Sequence, residues 1–226
     1  MTSTTSPPID TQLTLGALVA ERPARARVLE QAGIDYCCHG HRTLDDAAVD
    51  AGLDPAVLAA ALAAVDDETG MDVDGLDPVA LVDHIVATHH AYLHEELPLL
   101  DALATKVRDV HAERHAELVE VAALVQELRH DLEPHLAVEE DVLFPAIRAG
   151  LPDPEALAAT VRSLAAEHDR AGELLAALRR LTSDHEVPAD GCASYRSLYE
   201  RLARLEVDTH RHVHLENNVL FTALTG

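Results

Sequence analysis

Four long stretches of the chain carry apolar residues at every third or fourth position, and each of these stripes is interrupted once by ionisable side chains. Val79, Val86, Leu93, Leu97 and Leu100 form the first stripe, broken by His90. Val121, Leu124, Leu128, Leu132, Val142 and Ala146 form the second, broken by His135 and Glu139. Leu157, Val161, Leu164, Leu175 and Leu178 form the third, broken by His168. Leu198, Leu202, Leu205, Val219 and Ala223 form the fourth, broken by His212 and Glu216. Stripes of this period belong to helices that bury one face. Four helices joined by short loops make an up-down-up-down bundle. Six ionisable groups are then aimed at its interior, where each alone is costly to bury.

A metal resolves that conflict. Residues four apart on a helix differ by about 40° in direction and about 6 Å in height, so His135 with Glu139, and His212 with Glu216, each reach one cluster. The spacing alone is a weak signal in a chain so rich in His and Glu, but its context repeats. HLAVEEDVLFP, from His135, and HVHLENNVLFT, from His212, align without a gap on His, Glu, Val, Leu and Phe. His90 precedes His168 at nearly the same offset, so the bundle reads as a duplicated helix pair. The alternative, core histidines bonded to glutamates, does not account for four matched positions. Imidazole and carboxylate donors suit iron, manganese, zinc or copper. Six such ligands with two carboxylates able to bridge point to two metals, iron ahead of manganese or zinc; structural zinc usually takes four ligands, often thiolates. Of the other histidines, His210 and His214 are expected on the solvated face of helix four and His111 and His115 at the surface. His94 is expected as an extra ligand or a partner of one, and His84 and His89 as neither.

The remaining features place the bundle in its chain. Helix one is expected from the Asp77–Pro78 cap to about Val110 with a kink at Pro98, helix two over 113–148, helix three from Asp153–Pro154 to Leu181, and helix four over 192–224. The acidic, glycine-bearing stretch DDETGMDVDGLDP reads as a linker, giving a disordered start over 1–9, a small helical domain over 10–65, a linker over 66–76 and the bundle over 77–226. Within the small domain TLGALVAERPARARVLEQAG reads as one helical segment stopped at Gly33, followed by TLDDAAVDAG and DPAVLAAALAAV. With aromatics at 3%, no tryptophan and abundant Ala and Leu, the fold class is all-α. A net charge of −23 argues against nucleic acid or an anionic membrane as partner. No signal peptide or membrane-spanning stretch is expected. Three cysteines, two of them adjacent, make no disulfide framework and point to the cytoplasm.

Cys37 and Cys38 lie in DYCCHGHRTLDDA, just past a helix end. Two readings stand: a buried cysteine beside a spectator, or an exposed thiol pair that redox-cycles or holds metal transiently. Cys192 reads as incidental.

Taken together, IDYCCHGHRTLDDA, THHAYLHEELP, HLAVEEDVLFP, EHDRAGELL and HVHLENNVLF resemble the repair-of-iron-centres (RIC) proteins, di-iron proteins of the ScdA/YtfE type, over residues 12 to 224. By motif position the family's iron ligands fall on His90, His135, Glu139, His168, His212 and Glu216, and its adjacent cysteines on Cys37 and Cys38. The sequence departs from the family at His39, where a small residue is usual, and at Thr222, where proline is usual. The resemblance implies a cytoplasmic, often dimeric protein that restores iron–sulfur clusters damaged by nitric oxide or oxidants, with supply of iron as the proposed mechanism. It also implies a cofactor of two irons, bridged by carboxylates and an oxo or hydroxo group, with damaged iron–sulfur proteins as partners and nitric oxide or dioxygen as small ligands. A di-iron nitric oxide reductase and a haemerythrin-like oxygen carrier or sensor are the alternatives, and a carrier has no need of the cysteine-bearing domain. Cys37 and Cys38 are expected to act in repair without being ligands of the iron pair.

Overall fold

The computed structural model describes residues 9–65, 76–150 and 154–225. The disordered start expected over 1–9 and the linker expected over 66–76 fall almost wholly outside these residues. Among the described residues every regular element is helical, apart from an isolated bridge between Thr14 and Thr43. By compactness the chain divides into two units, one made of the residues up to Leu81 together with Val213 onward, the other of Val82–His212.

In the first unit α1 (Leu15–Glu21) is capped by Thr14, whose hydroxyl accepts from Ala17 N–H. The single helix expected up to Gly33 is in fact broken. Arg22 is extended, Pro23 opens a short 3-10 turn (Pro23–Arg25), and α2 (Ala26–Gln31) follows. Proline has no N–H to give to the preceding turn, so the apolar period survives the break while the helix does not. Thr43 caps α3 (Leu44–Asp50), and Asp54 with Pro55 caps α4 (Pro55–Ala63). Leu15, Leu18, Leu29, Tyr36, Leu44, Leu58 and Leu62 make the core of this unit, and Val213 joins it.

The second unit, with the stretches of the first that flank it in sequence, carries the long helices, which start and stop near the expected positions. Asp77 accepts from Val79 and Ala80 N–H at the start of α5 (Pro78–Ile85), which passes through a π-turn (Val86–His90) into α6 (Ala91–His111). The helix runs through Pro98, and its irregular turn lies upstream of that proline. Next come α7 (Glu117–Val138), a second π-turn (Glu139–Leu143) and α8 (Phe144–Arg148). After α9 (Pro154–Leu181), three successive non-glycine residues, Ser183, Asp184 and His185, take left-handed φ values of 50°, 57° and 61°. Then α10 (Ala193–His214) continues through a third π-turn (Leu215–Leu220) into α11 (Phe221–Thr225). Leu93, Leu97, Leu100, Val121, Val125, Leu128, Leu132, Leu174, Leu175, Leu178, Leu198, Leu202 and Leu205 fill the core of this unit.

The π-turns shift the stripes. Each adds one residue to the helical period, which turns the following side chains by about 100°. Val142, expected inside, is 55% exposed, and Leu143, Phe144 and Ile147 are buried instead. In the second copy Leu220 and Phe221 are buried while Val219 is only half-buried. Val79, on the first turn of α5, is also exposed.

Candidate metal centre

The π-turns fall where the ionisable residues are. His90 closes the first, Glu139 opens the second, and Glu216 lies in the third, where Phe221 N–H reaches back to its carbonyl. His90, His135, Glu139, His168, His212 and Glu216 are each 2% exposed or less. The ligand atoms of His90, Glu139 and His212 all lie within 4.8 Å of one another, as do those of His135, Glu139 and His168. Glu139 is common to both sets. Its Oε2 is 3.4 Å from His90 Nε2 and 3.4 Å from His135 Nε2, and its Oε1 is 3.9 Å from His168 Nε2. Glu216 follows His212 by four residues, where α10 passes into the third π-turn, and is fully buried.

Carboxylates outside this set orient the imidazoles. His90 Nδ1 donates to Glu140 at 2.9 Å, and His135 Nδ1 donates to Glu167 at 2.9 Å. An ionised carboxylate only accepts, so each of these rings keeps its proton outward and turns its Nε2 lone pair inward. There, His90 Nε2 is 3.1 Å from His212 Nε2, and His135 Nε2 is 3.0 Å from His168 Nε2. Burial pushes the Glu140 carboxyl up, but hydrogen bonds from His94 and His90 outweigh it and hold the group below the usual glutamate range.

The donors fit cations. Glu139 and Glu216 are acids buried among imidazoles, and the inward-facing Nε2 atoms of His90 and His135 aim lone pairs at the same interior. Such a nitrogen and oxygen donor set suits a first-row metal, and a cation there would take the inward lone pairs and balance the carboxylates.

Other expectations fare differently. His94 does not join either ligand set; it shares Glu140 with His90, its Nε2 at 2.9 Å. His89 is in neither ligand set; it is buried, bonded to Asp208 at 3.1 Å and stacked on His212. His210 is half-buried. His214 is not solvated: it is 4% exposed, its ring sits on Tyr36, and burial pulls its pKa down to about 4. A helix drawn alone shows His214 opposite the stripe, but the segment around Tyr36 covers that face. His111 is likewise buried, with its Nε2 3.2 Å from the Sγ of Cys192, an exposed free thiol. Glu140 and Glu167 were not anticipated, since nothing in the pattern sets them apart from the other surface acids.

Cys37 and Cys38 lie in the first unit, in a loop held by Asp35. The Oδ1 of Asp35 accepts from both Cys37 N–H and Cys38 N–H and lies 3.2 Å from Cys37 Sγ. The Asp35 carboxyl is pushed up by burial but held below the usual range by hydrogen bonds from His39, Cys37 and Cys38. Cys37 is buried, Cys38 is half-buried, and both are free thiols.

Comparison with known proteins agrees with this geometry. The family model described as Hemerythrin HHE cation binding domain matches residues 81–224, and the ScdA_N model, described as a domain of unknown function, matches residues 11–66. The chain is 36% identical over 216 residues to the iron-sulfur cluster repair protein YtfE of Enterobacter sp. (strain 638), covering 94% of this chain and 96% of that one. The chain belongs to the ScdA/YtfE family. The YtfE of Escherichia coli O157:H7 is 34% identical over 94% of this chain and 96% of its own length, and the iron-sulfur cluster repair protein ScdA of Staphylococcus haemolyticus is 32% identical over 90% and 94%. This ScdA/YtfE member carries both matched regions, and its buried His/Glu clusters could hold metal ions. No described helix is long and apolar enough to cross a membrane.

Proposed function

We propose that the protein holds two irons in its bundle and uses them in the repair of iron–sulfur clusters damaged by nitrosative or oxidative stress, by supplying iron. The observation that carries the reading is Glu139, one fully buried carboxylate within 3.4 Å of histidines from two separate pairs. In this reading His90 and His212 hold one iron, His135 and His168 the other, and Glu139 serves both. Glu216 is the second shared carboxylate, since it stands to His212 as Glu139 stands to His135. Glu140 and Glu167 hold their histidines in the tautomer that binds metal, and Phe144, buried with its ring 5.4 Å from that of His90, helps keep bulk water away. The bound pair would supply redox-active, exchangeable iron. The printed names of the ScdA and YtfE relatives support cluster repair as its use. Damaged iron–sulfur proteins are then the partners, in a cytoplasm that keeps the thiols reduced, with a homodimer as the assembly the family suggests.

A second reading has one observation in its favour. A groove of about 410 Å³ lined by His130, Pro134, His135, Val138, Glu167 and Arg170 reaches the outer side of His135. In that reading it would be the side from which a diatomic ligand such as nitric oxide or dioxygen approaches, as a nitric oxide reductase or an oxygen sensor would need.

Metal analysis with Mössbauer spectroscopy on protein from iron-replete cells tests the first claim. About two magnetically coupled irons per chain are expected. A single tight zinc, or manganese in place of iron, would overturn it. Turnover of nitric oxide with an electron donor, without restoration of a damaged cluster enzyme, would favour the second reading.

A further inference from the structure

One cluster of ligand-type side chains lies outside the bundle centre. Asp35, Cys37 and Cys38 place a carboxylate oxygen and two sulfurs within 4.8 Å of one another. The two sulfurs are 3.8 Å apart. Two thiolates bound at about 2.3 Å to one tetrahedral ion are about 3.8 Å apart, and a thiolate and a carboxylate oxygen on the same ion about 3.5 Å. The observed 3.2 Å between Cys37 Sγ and Asp35 Oδ1 is close to the second of these edges. The other oxygen of Asp35 is 2.6 Å from His39 Nδ1, so His39 steers the carboxylate from outside, as carboxylates and histidines do around metal ligands.

The loop is also held in shape. Asn218 Nδ2 donates to Cys37 O at 2.9 Å and to Tyr36 O at 3.4 Å, and Asn217 Nδ2 donates to Cys37 O at 3.4 Å. Gly16 and Gly40 make room for this clasp, since a Cβ at either would run into the Asn218 side-chain oxygen. Asn217 and Asn218 directly follow Glu216 in the third π-turn.

We propose that Asp35, Cys37 and Cys38 form a second metal site, which holds ferrous iron in transit in a loop clasped by the turn that carries Glu216. Three protein ligands leave one position open for exchange, and half-buried Cys38 provides the approach. Binding replaces two S–H bonds by two S–Fe bonds and releases two protons to water; no electron moves. The nature of the cargo rests on the repair reading, whereas the site rests on the loop geometry alone.

Cobalt(II) is the probe. Added to the metal-free, reduced, full-length protein, it should give a near-ultraviolet sulfur-to-cobalt charge-transfer band, which the nitrogen and oxygen donors of the bundle cannot produce. The band should vanish in Cys37→Ser and in Cys38→Ser, persist in Glu139→Ala and Cys192→Ser, and need about tenfold more cobalt in His39→Ala. Circular dichroism on each variant separates loss of ligand from loss of fold. No band in the wild type, or a band that survives Cys38→Ser in a folded protein, overturns the site. Bundle iron is measured separately by Mössbauer spectroscopy, so failure of the thiol site and failure of the di-iron reading give different results.

Discussion

Glu206 and Glu139 are both buried acids on the inner side of the bundle, and they are held in different ways. Glu206 receives Arg179 Nε at 2.9 Å and His185 Nε2 at 3.0 Å. Burial pushes its carboxyl up, but those two bonds outweigh it and hold the group below the ordinary 4.5. The contribution to stability is therefore fully present above the unfolded value and is lost as pH falls through the lowered folded one. Glu206→Gln is expected to cost about 1.5–3 kcal/mol at neutral pH, with the cost shrinking in acid; urea unfolding at two pH values checks it. Glu139 has three histidines around it, His90 and His135 at 3.4 Å and His168 at 3.9 Å, a donor set that suits a shared metal. Glu139→Ala should empty most of the centre, while His210→Ala should leave it full, read as iron per chain. The reverse result would mean that the wrong face of α10 has been assigned. His90, His135, His168 and His212 were legible because each interrupts a stripe. His111 and His214 were not, because burial of a polar face depends on a segment remote in sequence.

At the level of elements, the spans of the long helices could be read closely from caps and prolines: Asp77–Pro78 and Pro154 mark starts that the structure keeps. The π-turns could not be read. Nothing in HLAVEEDVLFP marks the one-residue insertion, because its apolar residues fit either register until neighbouring helices choose one. The register has a direct test. Val142→Ala should change stability by no more than about 0.5 kcal/mol, because the side chain is exposed. Leu143→Ala should cost about 2–5 kcal/mol, because its side chain is buried. An uninterrupted α-helix through 139–143 would exchange the two results in a denaturant titration. The short helices of the first unit show the opposite error, an apolar period that continued across a break which Pro23 imposes.

For the whole molecule, the places where the two aligned stretches differ are as telling as those where they agree. Where the first copy has Glu140 and Asp141, the second has Asn217 and Asn218. Glu140 serves His90 and His94; the two asparagines hold the carbonyls of Tyr36 and Cys37. The double change Cys37→Ser, Cys38→Ser should accordingly keep the bundle iron and its visible spectrum but slow the restoration of a damaged iron–sulfur enzyme. Unchanged restoration would assign repair to the bundle alone. The clasp also bears on the order of events during synthesis. Domains ordinarily fold as they leave the ribosome, N-terminal first. Here the thiol loop emerges early, while Val213, which completes its core, and Asn218, which holds its backbone, are made only after the whole of the bundle. The nascent chain must therefore carry an unfinished thiol loop through most of its translation, and a cell under oxidative stress would find Cys37 open to attack until the ribosome has made the turn that closes over it.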